Sequence, residues 1–171
     1  MQRKRLALIS TGGTIEKTYD SLSGLLTNQV SVLDVMLASL ELRGVELNRI
    51  RLMNKDSLDM STDDHALVAR VAGEEAGRHD GVVVVHGTDR LAVTGERIVE
   101  MWGRPAAPVV LTGAMRPYEL RNTDALQNLT EALLAVQLLS PGVYAVMHSQ
   151  VLAFPGVVKD PVLGSFTRAT R

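Results

Sequence analysis

The sequence predicts a three-layer, doubly wound α/β fold built on a mostly parallel sheet, and three observations predict it. The short runs Leu6–Ser10, Gly81–His86, Pro108–Thr112 and Val143–His148 are apolar without the alternation of a half-exposed strand. Such runs suit strands covered on both faces. Helix-length amphipathic patterns separate them, giving the order β-α-β-α-β-α-β-α-β, which is that of a Rossmann- or flavodoxin-like sheet. Finally, strands run repeatedly into turns of small residues: Thr11-Gly12-Gly13-Thr14, His86-Gly87-Thr88-Asp89 and Thr112-Gly113-Ala114-Met115. All fall at the carboxyl ends of strands, where such sheets bind ligands, so they are expected to converge.

Each element has its own signal. The basic residues before Leu6 suggest a signal peptide, but the apolar stretch to Ile9 is too short for one and reads as the first strand. Ser31 is placed to cap a helix whose face is Leu33, Met36, Leu37 and Leu40, with Gly44 past its end. A further strand is expected at Arg49–Met53. Ser61 or Thr62 caps the next helix, through Leu67, Val68 and Val71. Leu91–Trp102 and Thr123–Leu139 complete the set, the last stopped by Pro141 and Gly142. With no linker or repeat in 171 residues, one domain spanning 1–171 is expected, burying about 70% of the unfolded chain's surface.

Composition removes several function classes. A formal net charge of -1 argues against a nucleic-acid or anionic-membrane partner. The absence of cysteine excludes disulfide scaffolds, zinc ribbons, iron–sulfur clusters and thiol nucleophiles. No segment approaches the roughly 20 apolar residues of a membrane span, and a cytoplasmic protein is expected. His65, His79 and His148 lack paired metal-ligand spacing, so no metal site is expected. His86 reads as a structural histidine bonded to the adjacent turns. Trp102 reads as core or interface, and Met36, Met53, Met60, Met101 and Met115 as packing.

The glycine turns do not fit nucleotide binding. TGGTIEK has adjacent glycines and no third, unlike GxGxxG, and GxxxxGK[ST] does not occur. Two turn hydroxyls, Thr14 and Thr88, with Asp89 beside the second, suit acyl transfer better. A threonine nucleophile needs a group to take its proton, and Asp89 and Lys159 are candidates. The plainer reading makes Thr88 and Asp89 the N-cap of Leu91–Trp102.

TGGTIEK at Thr11–Lys17, NKDSLDM at Asn54–Met60, HGTD at His86–Asp89, LTGAMRP at Leu111–Pro117 and Lys159 carry a family likeness. In order and approximate spacing they resemble the bacterial-type L-asparaginase/glutaminase family. The likeness runs from the first strand to about Phe166 and is to the amino-terminal domain of the two-domain enzymes and to the short single-domain members. It implies that Thr14 is the first nucleophilic threonine, forming an acyl-enzyme, and that Thr88, Asp89 and Lys159 form a second cluster. It implies further that Ser57 holds the substrate α-carboxylate, Asp89 faces the α-ammonium, Gly87 and Ala114 contribute to the substrate pocket, and the Thr88 amide donates to the oxyanion. Tyr19, in the segment Glu16–Leu26 with Gly24 as hinge, matches a tyrosine on a loop that closes over substrate. A lysine acting as base must be neutral part of the time, which a neighbouring carboxylate opposes. Lys159 is therefore read as orienting Asp89 and Thr88.

Two residues depart from the family pattern. Arg90 brings a cation beside the expected ammonium pocket unless it turns to solvent, and Leu58 replaces a polar residue. No counterpart of the second domain is matched, and losing one charged hydrogen bond from it costs roughly 1.5–3 kcal/mol. The expectation is a cofactor-free amidohydrolase acting on L-asparagine or a related small amide, assembled as a homodimer or homotetramer. The alternative is a non-catalytic or weakly active amino-acid-binding module.

Overall fold

In the computed structural model, which describes residues 3–28 and 31–169, a six-stranded sheet carries the architecture. Its strands are β1 (Lys4–Gly12), β4 (Val45–Lys55), β5 (Gly81–Val85), β6 (Val109–Thr112), β7 (Val143–Met147) and β8 (Gln150–Ala153). They lie in the order β4-β1-β5-β6-β7-β8, parallel throughout except for antiparallel β8 at one edge. Between them run α1 (Leu33–Ala38), α2 (Thr62–Ala76), α3 (Leu91–Trp102) and α4 (Ala125–Leu138). Two small hairpins stand outside the sheet: β2 (Thr18–Asp20) with β3 (Leu25–Thr27), and β9 (Val157–Asp160) with β10 (Ser165–Arg168).

The continuous apolar runs are explained by two cores, one on each face. Ala7, Ile9, Val82, Val84, Val109 and Leu111 pack with Val68 and Ala72 of α2 and Leu91 and Ile98 of α3. The residues between them, Leu6, Leu8, Val83, Val85 and Val110, pack on the opposite face with Leu33 and Met36 of α1 and Leu129 and Leu133 of α4. A strand whose side chains are alternately claimed by two helical layers has no polar face to show. Trp102 joins α2 to α3. Its indole N–H donates to the Ala69 carbonyl at 3.0 Å, and its ring fills the space where a Cβ on Gly73 would stand 2.0 Å away.

The structure corrects several boundaries. β4 extends well beyond Arg49–Met53 in both directions; as an edge strand it is only partly buried, so its polar positions hide its length. The first helix is short and has Val32 at its N-cap. Ser31 accepts the Leu33 N–H at 3.3 Å, but its hydroxyl is given to Glu16. α2 is capped by Ser61 in a reciprocal box with Asp64. α4 begins at Ala125, after Thr123 and Asp124. Met101 is substantially exposed and does not pack as expected, whereas Met36 and Met60 are core. Among the described residues no helix is long and apolar enough to cross a membrane.

Candidate active site

Because β1, β5 and β6 are neighbours, strand order alone sets the three small-residue turns side by side at one sheet edge. Glycine then lets them touch. A Cβ on Gly13 (φ +84°) would stand 2.4 Å from Gly87 Cα, and one on Gly113 would stand 2.3 Å from the His86 carbonyl oxygen. Neither distance is compatible with any side chain, so backbone packs directly on backbone. Ser57 reaches the same point, 2.6 Å from where a Gly87 Cβ would lie. Hydrogen bonds lace the strand ends together: Thr11 Oγ1 donates to the Val85 carbonyl at 3.0 Å, and the His86 N–H to the Thr112 carbonyl at 2.8 Å.

Lys159 closes onto this edge from the β9–β10 hairpin. Its ammonium donates to Thr88 Oγ1 at 2.9 Å and to Asp89 Oδ1 at 2.7 Å. The hairpin is held by α3. The Phe154 ring occupies the space over Gly95, where a Cβ would stand 2.1 Å from the ring, and the Gly156 N–H donates to Glu96 Oε1 at 2.6 Å. Phe166, paired with Lys159 across the hairpin, is buried. The Asp89 carboxylate is 43% exposed and Lys159 24%, so the pair adds little stability and serves to orient the groups it joins. Neither Thr88 nor Asp89 caps α3, whose N-cap is Arg90 with no side-chain hydrogen bond. The plain capping reading is therefore set aside.

Thr14 opens a short 3-10 turn, Thr14–Glu16, and is partly exposed. Beneath it lies a residue whose role the sequence does not signal. Glu16 is 1% exposed, accepts the Gly12 N–H at 3.2 Å and is bonded by the Ser31 hydroxyl. Burial pushes its carboxyl above the usual range, against the lowering effect of Ser31 and Gly12. The base of the β2–β3 hairpin is tied to the same turn by Asn28 Nδ2, which donates to the Gly13 carbonyl at 2.8 Å, and to the Ser57 turn by the Lys17–Asp56 ion pair at 2.7 Å. Tyr19 sits on β2, 59% exposed and paired with Leu26 across the hairpin.

Ser57 lies in a second 3-10 turn, Ser57–Asp59, capped by Asp56, whose carboxylate accepts the Leu58 N–H at 3.0 Å. The Ser57 hydroxyl accepts the Arg90 N–H at 3.3 Å, joining this turn to the Thr88 turn. The Arg90 side chain lines a groove between α2 and α3 with Met60, Thr62 and His65, and Leu58 is exposed. Ala114 is buried in the third turn, which Asp124 organises by accepting the Met115 and Arg116 N–H groups at 3.0 and 2.9 Å and bonding His148 at 2.6 Å. Burial alone would raise the Asp124 carboxyl, but these donors hold it below the usual range. Asn128, one helical turn on, donates to the Gly113 carbonyl at 2.9 Å. The i, i+4 spacing of Asp124 and Asn128 at the head of α4 was the available signal. His86 is fully buried; its ring is bonded to the Gly87 carbonyl of its own turn and to Thr94 of α3, and only its backbone N–H reaches a neighbouring turn, at Thr112. Among the described residues no group of three or more His, Asp or Glu could hold a metal ion.

Residues 5–160 match the family described as Asparaginase, N-terminal. L-asparaginase of Thermococcus kodakarensis is 32% identical over 162 residues, covering 94% of this chain and 49% of that protein. A subunit of the glutamyl-tRNA(Gln) amidotransferase of Haloquadratum walsbyi is 35% identical over 146 residues, covering 84% of this chain and 33% of that one. In structure, the thermostable L-asparaginase from Thermococcus kodakarensis superposes with a TM-score of 0.82 at 29% identity, over 96% of this chain and 51% of that one. The probable cytoplasmic L-asparaginase from Campylobacter jejuni gives 0.77 at 27%, over 97% and 52%. This chain spans about half the length of the asparaginases it matches. By the match over most of its residues and by the shared fold, the chain belongs to the asparaginase family, as a counterpart of the family's N-terminal domain.

Proposed function

We propose that the chain is a threonine-type amidohydrolase that splits the side-chain amide of L-asparagine, or of a related small amide, into the acid and ammonia. The observation that carries the reading is the Lys159 ammonium bonded at once to Thr88 Oγ1 and Asp89 Oδ1, one strand away from the turn of Thr14. In this reading Thr14 Oγ adds to the amide carbonyl carbon as the C–O bond forms, and its proton is passed on to the amide nitrogen that will leave. The tetrahedral intermediate expels the nitrogen, protonated, as ammonia; water then adds to the ester and releases the carboxylate, returning a proton to Thr14. Lys159 stays charged, holding Thr88 and Asp89 in place, and the Thr88 N–H donates to the oxyanion. Ser57 and the backbone at Gly87 take the α-carboxylate, Asp89 the α-ammonium, and the Ala114 backbone seats the scissile amide. Tyr19 completes the site when its hairpin folds over the amino acid. The crevice is shared with a second copy in a dimer or tetramer.

The relatives named L-asparaginase and glutamyl-tRNA(Gln) amidotransferase share the amide as the functional group. Ammonia release from L-asparagine, L-glutamine and simple amides therefore decides between substrates. Thr14→Ala is expected to lower turnover on the order of a thousandfold or more, and Lys159→Met about 10²–10⁴-fold. Asparagine bound in calorimetry with no ammonia from any amide would replace the enzyme with a binding module.

A further inference from the structure

A buried chain of hydrogen bonds runs from the α2–α3 groove to the turn that carries Thr88. It starts at His86, which is fully buried and whose Nδ1 lies 2.8 Å from the Gly87 carbonyl oxygen. A carbonyl only accepts, so Nδ1 carries the proton and Nε2 is an acceptor. Thr94 Oγ1 lies 2.8 Å from that Nε2 and gives it the one hydroxyl proton. The Thr94 oxygen is then free to accept from His65 Nδ1, 2.7 Å away. The tautomers of both histidines are thus fixed from one end, and their rings stack with centroids 6.0 Å apart and planes inclined by 19°. His65 Nε2, buried and without a hydrogen-bond partner among the described residues, ends the chain at the groove of about 460 Å³ lined by His65, Arg90, Glu96 and Arg97.

The Gly87 carbonyl and the Thr88 N–H belong to one peptide unit, and that unit is planar and trans. Fixing the direction of the carbonyl therefore fixes the direction of the N–H, which points to the opposite side. We infer that Thr94 and His65, acting through His86, are positioning residues: they hold the Gly87–Thr88 peptide plane so that the Thr88 N–H is aimed at the oxyanion. None of the three touches the substrate. The inference rests on the amidase reading, because it assigns the purpose of a peptide plane within that site. Burial keeps His86 neutral, its imidazole pushed down to about 4, so the Nε2 lone pair stays available to Thr94.

Thr94→Val keeps the shape of the side chain and removes its hydroxyl, while Thr94→Ser restores the hydroxyl. The expected result is a tenfold or greater fall in kcat for Thr94→Val with KM within twofold of wild type, and recovery to within twofold in Thr94→Ser. In ¹⁵N-histidine NMR the wild-type protein is expected to show His86 protonated at Nδ1 and bare at Nε2, a measurement that needs no variant. The Thr88 amide resonance is expected to move in Thr94→Val and to return in Thr94→Ser. A folded Thr94→Val protein with wild-type kcat, a His86 protonated at Nε2, or an unmoved Thr88 amide each overturns the inference. If wild-type protein hydrolyses no amide, the amidase reading fails by that result, and the His86 and Thr88 resonances still decide whether the chain controls the peptide plane.

Discussion

Side chains that touch no substrate hold much of the candidate site, and Glu16 shows how. Its carboxylate has two clients, the buried Gly12 N–H and the half-buried Ser31 hydroxyl, and they differ in what they tolerate. A hydroxyl can turn and accept, whereas a backbone N–H can only donate. Glu16→Gln can present its oxygen to Gly12 and its NH₂ to Ser31, and it removes a charge that burial disfavours. It is expected to cost less than about 1 kcal/mol. Glu16→Leu keeps similar bulk but leaves the Gly12 N–H without its acceptor, which costs about 1–3 kcal/mol. Turnover should fall with it, since the turn it loosens carries Thr14. Thermal unfolding and the ammonia assay check both, and a Leu variant as stable as the Gln variant would remove Glu16 from the account. Nothing in TGGTIEK marks the glutamate as buried: an acid two residues after a turn threonine reads as solvent-facing until Ser31 is seen to come back over it. The pairing of His65 with Thr94 is illegible in the sequence for the same reason, since it exists only where α2 packs on α3.

At the level of elements, legibility followed burial. β5 reads Gly-Val-Val-Val-Val and is wholly buried, so its pattern announces a strand between two layers. The β2–β3 hairpin has three-residue strands with exposed or half-exposed side chains, leaving no core face to write a pattern. The β9–β10 hairpin, which delivers Lys159, was invisible for a related reason: it is anchored by Phe154 on Gly95 and by Glu96, contacts that only the tertiary fold creates. The glycine turns were legible as turns and in their convergence, but the sequence does not say which glycine a neighbour leans on. Gly87 and Gly24 make the distinction measurable. A Cβ on Gly87 would come within 2.6 Å of the Ser57 Cβ and Oγ, whereas one on Gly24 meets nothing within 4 Å, although its φ is +72°. Gly87→Ala is expected to cost about 1–3 kcal/mol through overpacking and to raise KM severalfold as Ser57 is displaced. Gly24→Ala strains one left-handed residue by about 1–2 kcal/mol, but in a hairpin of exposed and half-exposed side chains that adds little to the core. The melting temperature should therefore fall clearly for Gly87→Ala and little for Gly24→Ala; the reverse order would contradict the packing described.

Across the whole molecule, two apolar layers meet on one sheet, and the polar groups that serve the site are threaded between them at its carboxyl edge. That placement makes stability depend on pH through His86. In the unfolded chain a histidine takes up a proton as pH falls below about 6.5. In the folded protein burial, opposed by the Gly87 carbonyl and reinforced by the nearby His65, holds His86 neutral down to about 4. Between these values the unfolded state binds the extra proton, so stability is fully present above the unfolded value and is lost as pH falls. From pH 7.5 to 4.5 the loss assignable to His86 is about 2–3 kcal/mol. His65, pushed down by burial and by Arg90, works in the same direction, whereas the raised carboxyl of Glu16 works against it. The difference between wild type and His86→Gln isolates the one group, because Gln offers a donor and an acceptor but does not titrate. Urea unfolding across this range should show the wild-type free energy falling more steeply with acid than that of His86→Gln. Parallel curves would mean that His86 is protonated or solvated in the folded protein; a protonated Nε2 cannot accept from Thr94, and the link from Thr94 to the peptide plane of Gly87 and Thr88 would then be broken.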